Sequence, residues 1–236
     1  MANSKKIHDG HRERLKKRFL EEGLEHFDEH QVLELLLFYC IPRQDTNPIA
    51  HDLIERFGSL VQVLEATASE LQKTPGMGQS SAAFLSLLND FYRYYSVKRS
   101  QAGTILTTIE QCGDFLHPYF YGRRNECVYL LCLDTKCKVL SCKEVGEGSV
   151  NSAAVPIRRI VEMALGANAT SVILAHNHPS GMALPSTEDQ LTTRRLAMSL
   201  AAVDIDLVDH LVFADEDYVS MRQSGQYHPD ECRLPL

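Results

Sequence analysis

Ser171–Asp189, SVILAHNHPSGMALPSTED, is the stretch on which the reading of the chain turns. Its first five residues form a short apolar run, which reads as a buried strand that delivers the chain into His176. His176 and His178 stand two apart, and on an extended segment such residues project to the same side. Their imidazoles can therefore converge on one ion. A Pro-Ser-Gly turn then redirects the chain. Ser186-Thr187-Glu188-Asp189 reads as a helix start, with Ser186 as N-cap and Asp189 three positions on. That places a carboxylate near the same point. Two imidazole nitrogens and one carboxylate oxygen suit Zn2+, and three protein ligands leave a position open for water. Bound zinc lowers the pKa of such a water to about 7. Taken singly, these residues are as compatible with ordinary structural roles; their combination carries the metal reading.

Around this stretch the second half of the chain alternates strand and helix patterns. CVYLLCL and KVLSCKEV are β-rich runs separated by Asp134-Thr135-Lys136, a hairpin signal. VPIRRIVEMALG is an amphipathic helix ending at Gly166, PSTEDQLTTRRLAMSLAAV another helix, and DLVDHLVFAD a late strand. Cys127, Cys132, Cys137 and Cys142 recur every five residues. That differs from the short spacing of structural zinc pairs, so they read as small, semi-buried strand residues.

The first half, from Ile7 to about Val97, is helical in pattern. EHQVLELLLFYC places Val32, Leu35, Leu36 and Tyr39 three and four apart, and NPIAHDLIERFG repeats the logic and stops at Gly58. SELQKTPGMGQSSAAFLSLL reads as helix, tight turn, helix. SVKRSQAGT lacks apolar periodicity and reads as a linker. These patterns divide the chain into a helical domain (1–100), an α/β domain (101–227) and a tail (228–236), an α+β protein.

Bulk properties agree with this. A chain of 236 residues with 44% hydrophobic and 23% charged residues can bury a core. A net charge of -7 argues against wholesale nucleic-acid coating but leaves room for a local basic patch. No apolar run reaches the roughly 20 residues of a membrane helix, and the charged start lacks the apolar core of a secretory signal. A cytoplasmic protein without membrane contact is expected. Seven cysteines are an odd number for a disulfide framework.

The run H-x-H-P-S-G followed by P-S-x-x-D resembles the JAMM (MPN-type) metalloprotease motif, and more narrowly the bacterial RadC-like branch. JAMM enzymes combine a glutamate, H-x-H, seven residues, serine, two residues and aspartate. His176, His178, Ser186 and Asp189 stand at those separations. GHRERLKKRF, VLELLLFYCIPRQDTNPIAHDLIERFGS and the PGMG turn also resemble RadC-like proteins, so the likeness covers nearly the whole chain. It implies a JAMM/MPN (cytidine-deaminase-like) domain with a mixed sheet flanked by helices. It also implies one Zn2+ per chain held by His176, His178 and Asp189.

The same resemblance implies a catalytic glutamate at the start of an early strand. Glu126, directly before CVYLLCLD, occupies that position and is the choice for general acid and base. Glu144 and Glu147 compete, since they lie in the neighbouring strand and its following loop. For Ser186 the family implies help to the oxyanion besides capping. Asn177 should point away from the ligands and reads as structural. His210, on the late strand, reads as a core or metal-supporting histidine, because a fourth protein ligand would close the site.

Thr74-Pro75-Gly76-Met77-Gly78 resembles the turn of a helix–hairpin–helix, where Gly76 and Gly78 would let the backbone approach DNA phosphates. The segment to Arg18 carries seven basic and two acidic residues, +7 - 2 = +5. Against this, no positive charge follows the turn, and Glu21, Glu22, Glu25, Asp28 and Glu29 follow the arm. Two functions result. One is a zinc metallopeptidase cleaving a peptide or isopeptide bond in an unidentified peptide or protein substrate. The other is a non-catalytic scaffold that meets DNA through its helical half in repair or recombination.

Overall fold

The computed structural model describes residues 5–99, 103–147, 156–179, 181–215 and 217–229; for 5–9 and 147 it describes the backbone alone. The chain divides into two compact units, with the boundary between Tyr92 and Arg93.

The first unit is helical: α1 (Lys5–Glu22), α2 (Glu29–Cys40), α3 (Asn47–Phe57), α4 (Leu60–Glu65), α5 (Ala68–Leu71) and the start of α6 (Gln79–Arg99). Leu33, Leu37, Ile49, Leu53, Val63, Leu71 and Leu85 form its core. In α2 the core stripe is Leu33 and Leu37, four apart, and not the Val32, Leu35, Leu36 and Tyr39 face that the spacing picked out: Tyr39 is 65% exposed. Two further expectations need correction. The helix before the PGMG turn is only the four residues of α5. The linker begins later than read, because α6 runs on through Ser96–Arg99. Extending an existing helix costs little per residue, and Lys98 and Arg99 complement its C-terminal dipole. Residues 100–102 lie outside the described residues.

The second unit continues with α7 (Ile109–Phe120), β1 (Cys127–Leu133), β2 (Val139–Glu147), α8 (Ile157–Gly166), β3 (Ser171–Asn177), α9 (Thr187–Ala201), β4 (Asp206–Ala214) and β5 (Asp217–Ser220). The sheet order is β2-β1-β3-β4-β5, with β3 and β4 parallel and the other neighbours antiparallel. This is the mixed sheet expected.

The strand alternation sorts side chains onto two faces. Val128, Leu130, Val172 and Leu174 pack with Ile160 of α8 and Leu196 and Leu200 of α9. Tyr129, Leu131, Ile173 and Ala175 pack with Phe115, Leu116 and Phe120 of α7. β1 and β3 are thus covered on both sides, which is why both read as continuous apolar runs. The hairpin closes on Asp134, whose carboxylate accepts the amides of Lys136 and Lys138 at 2.8 and 2.9 Å. Cys137 therefore sits in the turn at φ 57, not in a strand as its spacing suggested. Cys127 and Cys132 fall on opposite faces, as a step of five in a strand requires. No helix among the described residues is long and apolar enough to cross a membrane.

Candidate metal centre

β3 carries His176 and hands the chain on to His178, whose amide still donates to the Phe213 carbonyl of β4 at 2.7 Å. That bond keeps His178 in line with the sheet after β3 itself has ended. Ser186 caps α9: its hydroxyl accepts the Asp189 amide at 3.1 Å, while Asp189 Oδ2 accepts the Ser186 amide at 2.7 Å and its hydroxyl at 2.6 Å. This reciprocal box fixes the Asp189 carboxylate at the head of the helix.

The three side chains converge as the spacing predicts. His176 Nε2 lies 2.9 Å from His178 Nε2 and 3.3 Å from Asp189 Oδ1, and His178 Nε2 lies 3.6 Å from Asp189 Oδ2. Donors around a tetrahedral zinc, at bonds of about 2.0–2.1 Å, stand about 3.3 Å apart. The separations from His176 Nε2 to His178 Nε2 and to Asp189 Oδ1 lie near that value, while the 3.6 Å separation is to Oδ2, the oxygen engaged in the capping box. Asp189 Oδ1 is buried and has no hydrogen-bond partner among the described residues. An unpartnered carboxylate oxygen is costly to bury, and a cation in the gap between the donors would remove that cost. The trio could therefore hold a metal ion.

Both imidazoles are oriented through their other nitrogen. His178 Nδ1 lies 3.1 Å from the Met182 carbonyl, an acceptor only, so Nδ1 carries the hydrogen and Nε2 is free. His176 Nδ1 lies 2.8 Å from His210 Nε2. His210 Nδ1 in turn lies 2.6 Å from Thr193 Oγ1, which is 2.6 Å from the Asp189 carbonyl. That carbonyl can only accept, so the chain has one consistent direction. Thr193 donates to Asp189, His210 Nδ1–H donates to Thr193, and His176 Nδ1–H donates to His210. His176 is left with a bare Nε2 on the ligand side. His210 thus orients His176 from within the core, in keeping with the core or metal-supporting role read from the sequence, and Thr193 is the member that reading missed. Its only signal is its position four residues after Asp189 on one helix face.

Burial keeps this chain neutral. Desolvation pushes His176 down to about 4, against a smaller raising effect of Asp189. It pushes His210 well below the ordinary histidine value, assisted by the neighbouring histidines. Neutral imidazole is the form that ligates metal. Desolvation pushes the Cys112 and Cys142 thiols up to about 12, which keeps both protonated and poorly nucleophilic.

Glu126 precedes β1. The antiparallel register of β1 with β3 ends at Val128 opposite His176, so Glu126 lies two residues before the last paired position of that ladder. Alternation continued from Val128 would give it the α8–α9 face. The side chain is half-buried, and its Oε2 is buried without a partner among the described residues. Glu144 lies on the other face: it stands opposite Tyr129, accepts the Tyr129 hydroxyl at 2.8 Å and pairs with Arg123 at 3.0 Å. The Glu147 side chain lies outside the described residues.

In the helical unit, Gly76 adopts φ +85, and a Cβ there would come 2.6 Å from Ile49 Cδ1. Packing within the unit accounts for this glycine. The Gly78 amide donates to Ser81 Oγ at 3.0 Å. Part of the basic arm is engaged: Arg12 donates to the carbonyls of Ile41, Pro42 and Gln44, while Lys17 and Arg18 pair with Glu21 and Glu22.

A helical unit followed by a mixed α/β sheet with its H-x-H and aspartate at one strand end defines a JAB-domain protein. The chain belongs to the RadC-like JAB domain family, which matches residues 106–226. It is similar along most of its length to UPF0758 proteins. One from Fusobacterium nucleatum is 33% identical over 229 residues, covering 94% of this chain and 99% of the relative. Another from Shewanella frigidimarina is 33% identical, covering 92% and 95%. A third from Vibrio parahaemolyticus is 34% identical, covering 89% and 94%.

Proposed function

We propose that this chain is a zinc-dependent metallopeptidase of JAMM type that hydrolyses a peptide or isopeptide bond. The observation that carries this is the Asp189 carboxylate oxygen, buried without a partner beside two imidazole nitrogens whose tautomers are already set. Zinc held there supplies a polarised carbonyl and a water acidic enough to deprotonate near neutral pH. His176, His178 and Asp189 are the three ligands, and their number leaves room for water and substrate.

Glu126 is the proton carrier. Hydrolysis adds water oxygen to the carbonyl carbon, breaks the C–N bond and moves one proton to the departing nitrogen. A carboxylate with a buried, unpartnered oxygen can accept that proton and return it. Ser186 holds Asp189 through the capping box. Its second role, toward the oxyanion, requires its hydroxyl hydrogen to leave Asp189 Oδ2.

Digestion of a peptide library by zinc-loaded protein tests this reading. Cleavage by the wild type, lowered roughly 100-fold or more in Glu126→Gln with zinc retained, is the expected result. Undiminished cleavage by Glu126→Gln removes Glu126 from the mechanism. A zinc-loaded wild type that cleaves nothing opposes the peptidase reading. The second reading is a DNA-associated scaffold acting through the helical half, where the Gly76–Gly78 turn and part of the basic arm are already engaged within the unit. A DNA titration across salt concentrations tests it, and no binding at low salt refutes it.

A further inference from the structure

The residue between the two histidines makes an unusual pair of contacts. Asn177 is buried, and its side-chain Oδ1 accepts the Cys127 amide at 2.8 Å. Its Nδ2 donates to the Asn125 carbonyl at 3.2 Å. Those two groups belong to the peptide units on either side of Glu126. One carboxamide therefore grips the chain before and after the glutamate, as a neighbouring strand residue would with its own N–H and C=O. Together the two bonds restrict the backbone dihedrals of Glu126 itself. Asparagine suits this position because it offers one donor and one acceptor on a short stem. Aspartate lacks the donor, a hydroxyl does not span both groups, and glutamine is a methylene longer.

The alternation of an extended segment explains why one tripeptide can do all of this. His176 and His178 project toward the ligand side, and Asn177 projects away from it. It thereby reaches the start of β1, where the strand begins. We propose that Asn177 is a positioning residue that sets the distance between Glu126 and the metal ligands. The inference rests on the reading of Glu126 as the proton carrier. In this arrangement the two histidine ligands and the glutamate's backbone are tied to a single peptide segment, so any shift of β3 carries both together. Glu126 has its Oε2 buried and without a partner among the described residues, so its carboxylate depends on the backbone for its place.

The test uses full-length, zinc-loaded protein and acetohydroxamate, a metal-chelating probe whose bound form hydrogen-bonds a neighbouring carboxylate. Its affinity is measured by calorimetry for the wild type, Glu126→Gln, Asn177→Ala and the double variant. Loss of a charge-assisted hydrogen bond weakens binding about tenfold or more. The expected result is that each single variant shows such a loss, and that the double variant binds no more weakly than Glu126→Gln alone. That non-additivity marks a residue acting through Glu126, which general destabilisation would not produce. Asn177→Asp keeps the shape and the acceptor for Cys127 while removing the donor to Asn125. It replaces Asn177→Ala, in the single and the double variant, if the alanine protein does not fold, and the same loss is expected. Wild-type affinity in the Asn177 variant, with Glu126→Gln weakened, overturns the inference and leaves the proposed function standing. Additive losses in the double variant also overturn it. An unaffected Glu126→Gln overturns the role of Glu126, and the inference falls with it.

Discussion

Thr193→Val removes one oxygen from the chain that orients His176 and leaves side-chain shape almost unchanged. Thr193 is buried, as are His210 and His176, so water does not replace the lost acceptor. His210 Nδ1–H then points into an apolar methyl, and a buried unsatisfied donor costs about 1–3 kcal/mol. At a few degrees per kcal/mol for a chain of this size, the melting temperature should fall by roughly 3–10 °C. A second effect reaches the metal. With Thr193 gone, His210 can move its hydrogen to Nε2, where it would meet the His176 Nδ1–H across 2.8 Å. His176 then loses the acceptor that fixes its ring. Loss of such an outer partner typically lowers metal affinity about 10- to 100-fold. Circular dichroism melting of the metal-free protein and zinc competition against a chromophoric chelator measure the two effects separately. A variant within about 0.5 kcal/mol of wild type with unchanged zinc affinity would refute the directed chain from Asp189 to His176.

Backbone strain and histidine burial carry the remaining predictions. Gly76→Ala should destabilise the helical unit by roughly 1–3 kcal/mol, since alanine is strained at φ +85 and its methyl would meet Ile49; urea unfolding unchanged from wild type would count against that packing. In metal-free protein, the lowered His176 and His210 values mean that the unfolded chain binds more protons than the folded one. Stability should therefore be full above about 6.5 and fall as the pH drops toward about 4, where His176 protonates in the fold. His176 alone contributes on the order of 3 kcal/mol to that loss. Equal urea stability at pH 7 and pH 5 would contradict it.

The metal trio was legible because it is local. One strand, one turn and one capping box fall within Ser171–Asp189, and each has its own sequence signal. Glu126 needed the family resemblance, since the β1–β3 pairing beside it joins segments about fifty residues apart and leaves no local signal. The support behind His176 was less readable still. Val172 pairs with Leu207 but Ile173 pairs with Asp209, so β4 carries an extra residue at Val208. Leu207 packs on the α8–α9 face, while Val208 packs on the α7 face and so does Leu211. The bulge therefore changes the phase of the strand and turns His210, rather than Asp209, toward His176. Period-two alternation read along DLVDHLVF cannot see that change. Nor could it assign Asn177, whose partners at Asn125 and Cys127 are set by pairing and not by spacing. The short strand β5 escaped for a simpler reason, as four residues carry too little pattern.

Metal analysis of the purified protein tests most directly whether His176, His178 and Asp189 bind a catalytic metal. Zinc near one equivalent per chain, lost in His178→Ala while the fold is kept, is the predicted result. A well-folded wild type that neither contains zinc nor takes it up when supplied would contradict it.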